Sequence, residues 1–394
     1  MEPLSGVIRD YAWGSRTVIA GLQGRSVPSP GPEAELWLGA HPDSPATVRR
    51  GGAEVSLLEV LAAAPERWLS PAVITRFGPR LPYLLKVLAA EAPLSLQAHP
   101  DAEQARLGHA GEAAGPAREH RNYADPYHKP EMLVALSSFD ALCGFRDPDR
   151  SAQALAAFGV PALDPLIAAL RTGADGLRTA VEALLTWPVG DRGALVGAVA
   201  AAEVAAGFEA DSRLARQLAD RYPGDPGVLV ALLLNHVMLA PGEAIWMPAG
   251  NLHAYLRGAG VELMAASDNV LRGGLTAKHV DVTELIRVLR FEVLADPILR
   301  PVPVAPGVST WTVPVEDFAL SVVRLGDAVS RVRLEPPGPR LVLCVVGPVT
   351  VVDGTGAATL AAGAAAIGPA EGGPLTITGT GVAFVASTGI SEKS

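Results

Sequence analysis

The stretch GEAIWMPAGNLH, residues 242–253, constrains this chain more than any other, because its punctuation sets a strand, a tight turn and a returning strand. Gly242 starts a turn, Pro248 ends the apolar run, Gly250 lets the backbone fold back sharply, and His253 is delivered inward. Two other segments offer comparable side chains. SLQAHPD (95–101) carries Gln97 and His99, and HKPEM (128–132) carries Glu131. Together they supply four nitrogen or oxygen ligands, the number that a tetrahedral zinc ion takes.

Strand alternation explains how such ligands converge. Successive side chains point to opposite faces, so Ser95, Gln97 and His99 share one face while Leu94, Leu96 and Ala98 take the other. In KPEMLVAL the same count sets Lys129 beside Glu131 and turns His128 away; His253 and Tyr255 form a third inward pair. Plainer readings exist: a lone strand histidine is more often a hydrogen-bonded core residue, Glu131 pairs readily with Lys129, and glutamine is an unusual zinc ligand. The coincidence of three independent segments favours one bound divalent ion per chain. His41, His109, His120, His236 and His279 have no such support and are read as structural or exposed.

At 394 residues the chain is too long for one hydrophobic core and suits two or three. Hydrophobic residues make up 49% of it, yet no apolar run is long enough to span a bilayer, so no membrane partner is expected. The amino-terminal MEPLSGVIRD has neither the basic start nor the apolar core of a signal peptide. Cys143 and Cys344, without metal-ligand spacing, argue for a reducing compartment, and the expected location is cytoplasmic. A net charge of −9 disfavours nucleic acid, so an anionic substrate would need a local positive site. The lysines supply a hint. Only Lys86, Lys129, Lys278 and Lys393 occur in an arginine-dominated chain, and the first three fall in or beside the ligand-bearing segments.

The chain changes character twice. Residues 1–150 carry short apolar runs broken by Gly, Pro and Asp, which read as strands and turns. Residues 151–238 switch to Ala and Leu at helical spacing, with helix starts at Asp164-Pro165 and Asp225-Pro226, a stop at Gly173, and VLVALLL (228–234) as a buried helix. Strand signals return at 239, interrupted by helical spacing in TELIRVLRFEVL (283–294). Alternating Val, Leu and Thr with Gly-rich turns then predict an antiparallel sandwich over 300–394. The expected organisation is a mainly β protein. One unit comprises 1–150 with 239–299, a second is the α-helical insert 151–238, and a third is the β-sandwich 300–394.

The strand pair at 242–253 is similar to that of cupins, jelly-roll barrels whose cavity holds one metal and one small ligand. More specifically, the chain resembles the type I phosphomannose isomerases, zinc enzymes of the cupin superfamily. The resemblance rests on YAWGS (11–15), AELWLGAHPDSP (34–45), LPYLLKVL (81–88), SLQAHPD (95–101), HKPEM (128–132), PAGNLHAYL (248–256) and VELMAASDNVLRGGLTAKHVDV (261–282), in order. It implies aldose–ketose interconversion of mannose 6-phosphate and fructose 6-phosphate, with zinc held by Gln97, His99, Glu131 and His253. It implies an essential arginine at Arg272. Two departures stand out: Ala12 lies where many relatives have an acidic residue, which weakens Trp13 as a pocket residue, and Arg257 replaces the Asn that ends the general cupin motif.

The remaining roles follow from the chemistry that the resemblance implies. Proton transfer through an enediol builds charge on two oxygens, and Arg272 is expected to stabilise it. Glu262, inward in VELMA, is the preferred proton shuttle, with His128 and Asp268 as rivals and Lys129 assisting ring opening. Ser95, Lys86 and Lys278 are expected to grip the phosphate. The alternatives are a metal-dependent cupin oxygenase and a non-catalytic sugar-phosphate-binding cupin. A monomer is expected.

Overall fold

Which face of each strand is apolar decides how the sheets of this protein stack. The computed structural model describes residues 1–115 and 120–390, so Lys393 lies outside the described residues. Its larger sheets have eleven, nine and four strands. The eleven-stranded assembly is organised around one long strand, His253–Ala265. The second half of that strand lies between Tyr83–Ala90 and Glu131–Ala135, while its first half pairs with Phe139–Phe145 and with Gln97.

The strand passes from one sheet to the other at Gly258. There φ is +130°, just past a register irregularity between Tyr255 and Arg257, and an added Cβ would lie 2.7 Å from the Ser138 carbonyl oxygen. Only glycine fits that corner without strain.

Alternation then gives each sheet two different faces. On the back of the second half, Leu85, Val87, Val261 and Leu263 pack with Trp311, Phe318, Leu320 and Leu341 of the carboxy-terminal region. Each such leucine contributes about 1.5–3 kcal/mol on burial. The front face of the same strands carries Lys86, Glu131 and Glu262, which line an open cavity of about 510 Å³. Behind the first half, Leu96, Leu142, Ala254 and Leu271 share a core with helical Leu155, Leu177 and Leu184.

The structure corrects several expectations. Strands between Val7–Arg9 and Phe139–Phe145 do join those of 239–299 in the eleven-stranded assembly, but not every strand of residues 1–150 is part of it. Glu2–Ser5 pairs with Ala365–Gly368 and with Thr47–Arg50, which in turn pairs with Ala53–Ser56, so the nine-stranded sheet draws on both ends of the chain. Leu4 and Val48 thereby join the core that holds Leu341 and Ile367. The same segment is also not all strands and turns. Helices form over Leu57–Ala63, Pro65–Leu69, Pro71–Phe77 and Ala102–Ala114, two of them with proline in the first turn and the last closed by a capping box between Asp101 and Gln104.

The helical insert begins at Pro148 and its last helix is Gly227–Ala231. Leu234–Leu239, expected to be helical, is instead a strand beside Phe139–Phe145. A short buried apolar run does not distinguish helix from strand by period alone. Asp225 accepts from the Gly227 amide at 2.7 Å, as a helix-start residue should, whereas Asp164 lies inside its helix and makes no cap bond. The helix expected after 283 runs over Val282–Val288. In the carboxy-terminal half, Val323, Val342 and Val385 pack against Val351 and Ile377 of the four-stranded sheet, completing a sandwich. Among the described residues no helix is long and apolar enough to cross a membrane.

Replacing Gly258 by Ala is expected to lower unfolding free energy by about 1–3 kcal/mol from backbone strain alone. Urea unfolding would measure this, and an unchanged midpoint would show that the corner does not need glycine.

Candidate active site

Two histidines and a carboxylate meet at one end of the cavity, and their tautomers are set by backbone carbonyls. The Nδ1 of His99 lies 2.7 Å from the Asn269 carbonyl oxygen, and that of His253 lies 3.0 Å from the Asn251 carbonyl oxygen. A carbonyl only accepts, so each Nδ1 carries the proton and each Nε2 presents a lone pair. Both lone pairs approach the same atom: Glu131 Oε2 is 3.2 Å from His99 Nε2 and 3.3 Å from His253 Nε2. The ligand atoms of the three side chains lie within 4.8 Å of one another. His99 Nε2 is buried without a hydrogen-bond partner, which is what a nitrogen reserved for a cation looks like.

Burial holds His99 neutral, lowering its pKa to about 4 despite the nearby Glu131. Burial alone would raise the Glu131 carboxyl, but the Lys129 ammonium beside it more than offsets this, and the carboxyl lies well below the usual range. Lys129 Nζ sits 3.1 Å from Glu131 Oε1, on the side away from the histidines. The donor set therefore fits a divalent ion.

Local structure positions these groups. Gly250, at φ +76°, donates its amide to the His99 carbonyl oxygen at 2.8 Å, tying the turn before His253 to the end of the Gln97 strand. His253 pairs with Gln97 across the ladder, and Gln97 pairs with Arg272. The strand itself is only Leu96–Ala98, so His99 lies just beyond it. Gln97 lines the cavity and donates its side-chain nitrogen to Ser95 Oγ at 3.2 Å.

A second cluster forms the cavity wall. Lys86 is opposite Glu262 in one pairing and opposite Trp37 in the next. Its Nζ donates to Glu262 Oε2 at 3.1 Å and to Glu35 Oε1 at 3.3 Å, while Trp37 Nε1 donates to Glu35 Oε2 at 2.9 Å. Tyr255 donates its hydroxyl to Glu262 Oε1 at 2.8 Å. Burial opposes charge on Lys86, yet Glu262, Glu35 and Glu131 raise its pKa above the usual lysine value. The Glu262 carboxyl is shifted up, first by burial and then by Glu131 and Glu35, with Lys86 pulling the other way.

Arg272, Lys278, Ser95, Trp13 and Asp268 also line the cavity. Arg272 has no carboxylate partner among the described residues, Asp268 included. Asp268 instead accepts from His41 Nε2 at 3.0 Å, and this bond lowers its pKa. His128 is elsewhere: its Nε2 lies 3.0 Å from both oxygens of Asp317, outside the cavity wall. It precedes the strand that begins at Glu131 and faces Asp317 of the carboxy-terminal region.

Comparison with known proteins now bears on this geometry. Residues 1–148 match the model of the phosphomannose isomerase type I catalytic domain. The mannose-6-phosphate isomerase of Escherichia coli K12 is 37% identical over 387 residues, 97% of this chain and 98% of that protein. The chain belongs to the type I phosphomannose isomerase family. The Rattus norvegicus mannose-6-phosphate isomerase is 33% identical, over 89% of this chain and 88% of its own. A crystal structure of a mutant phosphomannose isomerase from Salmonella typhimurium superposes with a TM-score of 0.91 at 34% identity, covering 99% of this chain and 100% of that one. A mannose 6-phosphate isomerase bound with zinc and yttrium superposes at 0.89 with 33% identity and the same coverage. The cupin, jelly-roll fold of the family, with its helical insert, is the fold seen here.

Against this type I phosphomannose isomerase framework, sequence reading missed Glu35, Trp37, His41 and Arg221, all in the cavity wall. Glu35 and Trp37 lie in AELWLGAHPDSP, and strand alternation from Trp37 would have paired them on one face. His41 had been read as structural or exposed, but it is buried and oriented by the Asp43 amide, which donates to Nδ1 at 3.2 Å. Nothing local in the sequence marks Arg221.

Glu35→Gln is expected to lower the pH at which Glu262 titrates. Removing one of the carboxylates that lift Glu262 leaves Lys86 to it alone, and both changes favour its ionised form. The carboxyl signal of glutamate-labelled protein would report this; an unmoved or raised titration would contradict the charge coupling described.

Proposed function

We propose that this chain interconverts mannose 6-phosphate and fructose 6-phosphate with one zinc ion bound by Gln97, His99, Glu131 and His253. The observation that carries the proposal is the convergence of two oriented histidine lone pairs on Glu131 beside a cavity walled by Lys86, Glu262 and Arg272. Full-length relatives named as this isomerase support it. They leave the oxygenase and the non-catalytic binding protein without support. For Gln97, the bond from its nitrogen to Ser95 leaves the amide oxygen as the ligand atom. When bound, the ion supplies Lewis acidity toward sugar oxygens.

The chain's own residues account for the proton. In the open-chain aldose, a proton leaves C2 and is delivered to C1, while the O2 hydroxyl proton ends on O1. Glu262 suits the carbon-to-carbon transfer, because its raised pKa lets one carboxyl act as base and then as acid. Tyr255 and Lys86 hold both of its oxygens in place. Lys86, held between carboxylates, serves Glu262 rather than phosphate. Arg272, half-buried and free of any carboxylate partner among the described residues, is placed to stabilise the enediolate. Lys129 is assigned ring opening, with Asp268 kept in its supporting pair with His41. Ser95 and Lys278 are assigned the phosphoryl group, and Trp13 the cavity rim. His128 takes no part in this scheme.

The protein is further proposed to act as a cytoplasmic monomer. Both cysteines are free, and the edge strand Val302–Ala305 contains Pro303, which removes a donor that a second sheet would use.

A coupled assay for fructose 6-phosphate tests the activity. A chelator is expected to abolish turnover and added zinc to restore it, while full activity in metal-free protein would overturn the proposal. Gln97→Leu should lose zinc stoichiometry, and a variant that retains one ion per chain would remove Gln97 from the ligand set. For the chemical step, Arg272→Ala and Glu262→Gln should each lower kcat by roughly a hundredfold or more. Normal kcat in either variant would take that residue out of the reaction.

A further inference from the structure

We infer that Arg221, at the end of a helix in the helical insert, is a binding residue for the substrate's phosphoryl group. The inference rests on the isomerase reading above. Arg221 ends the helix Glu209–Arg221 and contributes to the cavity wall together with Lys278, Arg272 and Ser95. Its neighbours anchor it there. Tyr222 donates its hydroxyl to the Pro93 carbonyl oxygen at 2.7 Å, two residues before Ser95. Asp225 accepts from the Gly227 amide at 2.7 Å and from the Thr276 amide at 3.0 Å, two residues before Lys278. The end of the insert is thereby fastened to the segments that carry both expected phosphate contacts.

Charge accounting points to an anion from outside. Glu35 and Glu262 share Lys86, Glu131 holds Lys129, and Asp268 holds His41, so the carboxylates lining the cavity already have partners. Arg221, Arg272 and Lys278 have no carboxylate partner among the described residues. The Tyr222 hydroxyl lies beside Arg221. A phosphoryl dianion offers two charges and several acceptor oxygens, and a forked guanidinium at the rim matches it better than a lysine alone. With Arg272 assigned to the reacting carbons, Arg221 and Lys278 are the cations left for the far end of the sugar.

The test compares wild type, Arg221→Ala and Arg221→Lys in the fructose 6-phosphate assay, with inorganic phosphate as a competing anion. Arg221→Ala is expected to raise KM for mannose 6-phosphate roughly tenfold, the size of one charged hydrogen bond. Its kcat should stay within about twofold. The inhibition constant for inorganic phosphate should rise by a similar factor, and Arg221→Lys, which keeps the charge but not the fork, should recover part of both losses. Unchanged KM and unchanged phosphate inhibition in Arg221→Ala would overturn the inference, as would a fall in kcat alone. If wild type itself fails to form fructose 6-phosphate, the isomerase reading falls instead.

Discussion

The site depends on the register of one strand. His253–Ala265 sets His253 against Gln97 at one end and Glu262 against Lys86, then Met264 against Glu131, at the other. Because side chains alternate, a slip of one residue would turn Glu262 into the apolar core behind the sheet and bring Val261 or Leu263 into the cavity. The slip is prevented by the opposite face. Val261 and Leu263 are fully buried with Leu85 and Val87, so displacement would expose several large aliphatic side chains at once. Catalytic geometry is thus held by residues that never touch the cavity.

Buried charge is the second constraint, and the protein meets it by giving each carboxylate of the cavity wall a partner. Glu262 is 2% exposed and would cost a great deal if left alone. It is held by Lys86 and Tyr255, and Lys86 is balanced by Glu35, which Trp37 fixes in turn. Glu131 is shared between Lys129 and the two histidines. Within these networks burial, Glu131 and Glu35 raise the Glu262 carboxyl while Lys86 opposes the shift. The same networks leave Arg272 unneutralised. An unpaired guanidinium favours negative charge on a group bound beside it.

Much of this was legible in the sequence where the signal is local. The turn glycines and Pro248 announced the strand that delivers His253, and the contacts of Lys129 with Glu131 and of His128 with Asp317 match the directions expected of them, although both residues precede the strand that begins at Glu131. His128 is a rival acid–base candidate on the chemistry of its side chain, and its place beside Asp317 sets it outside the cavity wall. What stayed hidden depends on pairing across long stretches of chain. Glu35 matters because its strand lies beside that of Lys86, and no periodicity within either strand reveals the neighbour. The same limit explains the amino-terminal strands. A short alternating segment such as Glu2–Ser5 states that one face is apolar, not which sheet it will join.

That amino-terminal pairing changes how the carboxy-terminal sandwich is to be understood. Its nine-stranded sheet is completed by strands from residues 2–5, 47–50 and 53–56, and one of its faces forms a single core with the back of the catalytic strands. The sandwich is therefore not an appended module. Without it Leu85, Val87, Val261 and Leu263 would face water, and the burial energy that enforces the register of Lys86 and Glu262 would be lost. None of its described residues joins the cluster of His99, Glu131 and His253, yet its apolar inner face holds the cavity strands in step. The helical insert does the equivalent for the other half, covering Leu96, Ala254 and Leu271 while presenting Arg221 to the cavity. Both faces of the catalytic sheets are thus determined together, one by what it must hide and the other by what it must hold.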